Sequence, residues 1–119
     1  MFVNLNNSIK FGVNMINPKY IDAQVTKTQI LLEVCLHYEV TEEDLKSKIR
    51  KGNKFVARSM YLLFINKYIE ENHRNLKNYL GRSSPASIGY MIETAQFNYE
   101  NSLTFRNNYN LIESKLLTK

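Results

Sequence analysis

Ten of the sixteen basic residues fall between Lys46 and Arg82: Lys46, Lys48, Arg50, Lys51, Lys54, Arg58, Lys67, Arg74, Lys77 and Arg82. Only two acids, Glu70 and Glu71, share that stretch, while the remainder carries six basic residues against nine acids. Fixed positive charge concentrated in one segment suits the neutralisation of phosphates, which points to a polyanion partner. Charge alone fits a well-solvated surface as readily.

Other chemistries find little to build on. Cys35 is the only cysteine, which excludes an internal disulfide and a thiolate-rich zinc site and leaves it as a small core residue. His37 and His73 are the only histidines and form no HExxH pattern, so neither metal nor cofactor is expected. Ser83, Ser84 and His73 are close in sequence, but no acid accompanies them to orient a base. Serines at a helix start are caps, and no enzyme is expected. The eight tyrosines and six phenylalanines have faces that stack on unpaired bases. Most fall on apolar helix faces and read as core.

A chain of 119 residues suits one compact domain. No apolar run is long enough to span a bilayer, and Asn4, Asn6, Asn7, Lys10 and Asn14 interrupt any signal-peptide core within residues 1–20. The expectation is a cytoplasmic protein without a membrane partner.

The elements that must position the basic residues follow from periodicity. Ile9, Phe11, Val13 and Met15 alternate with Lys10, Gly12 and Asn14, a strand pattern that Asn6, Asn7 and Ser8 turn back on Phe2–Leu5. Residues 1–25 are thus expected to be a short β-hairpin or an extended arm, free to pair with a partner or a second copy. From residue 26 to 119 the chain reads as an all-α domain of about six helices. Ile30, Leu31, Val34, Cys35 and Tyr38 mark a helix over 28–38, with Thr26 or Thr28 as its cap. Thr41, followed by three acids, opens a short helix through Lys48, and Gly52-Asn53 then breaks the chain. Residues 54–69 are apolar nearly all round and predict the central helix. A short helix over 75–80 stops at Gly81, Ser84 caps the next with Pro85 in its first turn, and that helix reaches about Tyr99. A last helix begins at Leu103 or Thr104 and buries Phe105, Tyr109, Ile112 and Leu116. The pair of helices joined across Gly81 is a helix-turn-helix candidate.

From Ile30 onward the chain resembles the C-terminal DNA-binding domain of the DnaA family of bacterial replication initiators, an all-helical fold related to that of the Trp repressor. The resemblance is carried by Ile30, Val34, Tyr38, Val40, Asp44-Leu45, Ser47, Arg50, Ala57-Arg58, the apolar helix, Leu76, Leu80-Gly81 and Ser87-Ile88. It implies double-stranded DNA as partner, with Arg50 reading bases in the minor groove and Arg58 at the DNA-facing surface. An arginine's fixed charge and planar fork suit a narrow electronegative groove. The alternatives are a solvated helix-end cation for Arg50 and an ion pair with Glu42, Glu43 or Asp44 for Arg58. Where the family's recognition helix begins with arginine, aspartate, histidine and hydroxyl residues, this chain has Ser83, Ser84, Pro85, Ala86, Ser87 and Ile88. That departure implies altered or weak base discrimination, since only Ser87 keeps a comparable hydroxyl. There is also no GxxxxGK[ST] loop to match the family's ATPase domain.

The expected site is therefore Lys46, Lys48, Arg50, Lys51, Lys54, Arg58, Arg74 and Arg82 with residues 83–87. The alternative is a protein-interaction adaptor that keeps the fold and has lost specific DNA reading.

Overall fold

The computed structural model describes residues 25–118, and these contain six helices and no strand. The expected hairpin or arm, and self-pairing through it, lie outside the described residues. Helix α1 is Lys27–Tyr38, α2 Glu42–Lys46, α3 Gly52–Tyr68, α4 His73–Leu80, α5 Pro85–Asn101 and α6 Leu103–Leu117. Among the described residues no helix is long and apolar enough to cross a membrane.

Side chains cap four of the six helix starts. Thr26 and Gln29 form a reciprocal capping box on α1, each backbone N–H donating to the other's side chain at 3.1 Å or less. Thr41 and Asp44 do the same for α2. Such a box satisfies two donors that the first turn leaves without intrahelical partners. Asn72 accepts from the Asn75 N–H at 2.8 Å, which starts α4 at His73, two residues before the sequence reading had it. Ser102 is at once the last cap of α5 and the first cap of α6, accepting from the Phe105 N–H at 3.2 Å. Ser84 occupies the cap position of α5 as expected, but its side chain makes no capping bond.

Three boundaries moved for reasons beyond propensity. Helix α2 stops at Lys46 instead of Lys48, because Ser47 turns to extended backbone and its carbonyl points to two arginines. Helix α3 starts at Gly52, inside the expected break, with Gly52 at φ 78°, where a side chain would be strained. The adjacent Asn53 amide donates to the Tyr38 carbonyl at 3.2 Å, tying the start of α3 to the end of α1. Helix α5 continues to Asn101 rather than Tyr99.

Helix α3 is the axis of the domain, with every residue from Ala57 to Ile65 buried. Around it pack Ile30, Val34 and Tyr38 from α1, Ile88, Ile92 and Ala95 from α5, and Phe105, Tyr109, Ile112 and Leu116 from α6. Phe64 and Tyr109 stack with centroids 4.4 Å apart, and Tyr99 meets Tyr109 edge-on at 4.8 Å. Helices α2 and α4 contact each other, and Leu45, Leu76 and Leu80 lie in the same core. The loop between α2 and α3 carries Lys48, Arg50 and Lys51 of the basic segment.

Candidate nucleic-acid interface

The residues between α2 and α3 form a five-residue loop, 47–51, whose tip is basic and exposed. Arg50, Lys51 and Lys48 are exposed, as is Ile49 at 44%. Arg50 has no hydrogen bond or ion pair among the described residues. Its charge and donors are therefore open to solvent.

Arg58 departs from expectation. It lies within the buried run of α3 with 2% of its surface exposed, so it is not at the surface where it was expected. Nor does it pair with Glu42, Glu43 or Asp44. Its Nε donates to the Leu45 carbonyl at 2.8 Å, Nη1 to Ile49 at 3.0 Å and Nη2 to Ser47 at 2.6 Å, with the Ser47 hydroxyl a further acceptor at 3.3 Å. A buried cation without partners would cost several kcal/mol, about what several satisfied donors offset. Burial, and after it the nearby positive charges of Arg82 and Arg50, lowers the Arg58 pKa from the usual guanidinium value.

Arg82 joins the same cluster from the turn between α4 and α5. Its Nη1 donates to the carbonyls of Leu80 at 3.0 Å and Lys46 at 3.3 Å, and its Nη2 to that of Ser47 at 2.8 Å. Lys48 in return donates to the Gly81 carbonyl at 3.1 Å. Gly81 holds φ 67°, the left-handed stop of α4, and the Arg82 N–H closes on the Lys77 carbonyl at 2.9 Å. Residues more than thirty positions apart are thereby fastened together, so the basic loop and the α4–α5 turn form one continuous face.

The remaining expected residues divide by what they touch. Arg74 is exposed on α4. Lys54 pairs with Asp44 at 3.3 Å, and Lys46 lies over the Tyr79 ring at 4.7 Å, so part of their charge is used within the protein. Ser83, Pro85 and Ala86 are exposed at the start of α5, while Ser84 and Ser87 are half-buried. The Ser87 hydroxyl donates to the Ser84 carbonyl at 2.7 Å, which leaves it only as an acceptor toward an outside group. Ile49 was missed, although an apolar residue between Lys48 and Arg50, outside any helical spacing, was a visible signal. The clamping role of Arg82 had none.

No protein-family model, curated protein or solved structure matches this chain.

Elsewhere the surface offers less. Among the described residues no three His, Cys, Asp or Glu side chains gather as a metal site. A cleft of about 280 Å³ between α1 and α4 has two acids, but Glu42 accepts from the Tyr79 hydroxyl and Glu71 from Lys27 and Asn75. Both carboxylates are already paired within the protein.

Proposed function

We propose that this chain binds double-stranded DNA as a helix-turn-helix protein of replication or transcription control, with a DnaA-like, Trp-repressor-related arrangement of its helices. In this reading α4 and α5 are the helix pair, and the start of α5 lies in the major groove. Arg50 enters the neighbouring minor groove, and Lys51, Arg74 and Lys48 meet phosphates. The single observation that supports it most is the joined face, where the Lys48–Gly81 and Arg82–Ser47 bonds set the basic loop beside the first turn of α5. A duplex presents phosphates on both sides of each groove, so a loop and a helix start on one face suit it better than either alone.

Base discrimination is modest on this reading. Ser83, Pro85 and Ala86 present small side chains, and Ser87 has committed its proton, so direct major-groove contacts are few. Affinity then comes mainly from phosphates and falls steeply with salt. Binding to a mixed-sequence duplex at low and moderate salt, wild type against Arg50→Ala, tests this. The substitution should weaken binding by about 1–3 kcal/mol. Absence of salt-sensitive binding by the wild type would overturn the reading and leave the adaptor alternative.

A further inference from the structure

The carbonyls of Leu45, Lys46, Ser47 and Ile49 all accept from just two side chains, Arg58 and Arg82. Those at the end of α2 belong to the group that a helix leaves without internal partners, and in a short exposed helix water would normally take them. Here two guanidiniums take them, which suits the negative end of the helix. A planar fork donating in several directions can hold three carbonyls at fixed angles, which an ammonium on a flexible stem cannot.

The choice of a cation has a second consequence. A carboxylate accepting from the loop's N–H groups would hold it equally well and would cancel the charge of Arg50. Among the described residues neither Arg58 nor Arg82 is ion-paired, so the loop is fastened while the whole cluster stays positive. Crowding of like charge is the cost, and it lowers the pKa of both Arg58 and Arg82 beyond the effect of their burial.

We infer that Arg58 is a positioning residue for duplex binding, which with Arg82 fixes the 47–51 loop in its bound shape and so holds Arg50 ready without itself touching DNA. The inference rests on the DNA-binding reading of the same face. Ordering a five-residue loop during binding would reduce affinity, and a loop already held avoids that cost. Phosphodiester groups are the ligand that the uncancelled charge favours.

The full chain carrying Arg58→Lys tests this, since the charge stays and the three-way fork is lost. Backbone order parameters for residues 47–51, measured without DNA, should drop from about 0.85 to below about 0.6. Affinity for a mixed-sequence duplex, measured well below the unfolding midpoint, should fall roughly 5- to 150-fold, as for loss of a groove-reading arginine. The slope of log affinity against log salt should stay at the wild-type value, because no phosphate contact has been removed. Wild-type affinity in a folded variant, or a slope reduced by about 1, would overturn the inference. If Arg58→Lys does not fold, Arg82→Lys carries the loop and affinity readouts, since its side chain is half-buried and outside the core; an unchanged loop and affinity would overturn the joint clamp. Should the wild type bind no duplex, the DNA reading fails, and a loop that stays rigid in Arg58→Lys removes the clamp as well.

Discussion

Tyr38 closes α1 with its ring in the core and its hydroxyl buried, and the hydroxyl has no hydrogen-bond partner among the described residues. An unpaired buried hydroxyl costs on the order of 1–3 kcal/mol. Tyr38→Phe removes the polar atom and keeps the ring, so the variant should be more stable by about 1 kcal/mol in denaturant titrations; a loss of stability would mean that the hydroxyl is satisfied. Arg58 is the opposite case, a buried polar group whose three guanidinium nitrogens each donate to a partner. Tyr38 was legible as a member of a helix face, whereas Arg58 was expected at the surface. Which atom each polar tip would meet was not, because the acceptors of Arg58 are backbone carbonyls, which no residue type announces. Arg50 was legible for the contrary reason: a charge in a break between helices has solvent as its default surroundings.

Element boundaries were readable where side chains neighbouring in sequence determine them. The Thr26–Gln29 and Thr41–Asp44 boxes, Gly81 at the end of α4 and Pro85 at the start of α5 all act within four residues. Two helix ends break the usual rule. Glu39 after α1 and Glu70 after α3 both hold φ 57°, a left-handed conformation in which glycine is unstrained. The Glu70 N–H closes back on the Ile65 carbonyl at 2.9 Å, so the turn needs that geometry whatever the side chain. Glu39→Gly should therefore stabilise the domain by roughly 0.5–1 kcal/mol, a rise of a few degrees in Tm. An unchanged or lower Tm would show that the exposed Glu39 side chain contributes more than the strain removes.

At the scale of the molecule, packing around α3 sets how the protein responds to alkali. Burial pushes the Tyr38 and Tyr61 hydroxyls up to about 12, and raises those of Tyr68, Tyr79 and Tyr109 further. An unfolded tyrosine ionises near pH ~10, so the folded state holds these five phenols neutral where the unfolded state has begun to lose protons. The stability from Tyr38 and Tyr61 is fully present below pH ~10 and is lost as pH rises through about 12. Phenolate absorbance from these five tyrosines should then rise together with the loss of circular dichroism; their ionisation before unfolding would contradict their burial. Composition, periodicity and capping chemistry sufficed for the all-α class, the number of helices, the central place of α3 and the basic segment, since each depends on residues within a turn or two of one another. The joining of the 47–51 loop to the α4–α5 turn came from contacts across more than thirty residues, and the sorting of Arg58 into the core from its bonds to carbonyls nine to thirteen positions away. Two arginines eight positions apart are alike in chemistry, and they differ because α3 carries one of them inward to the carbonyls at the end of α2.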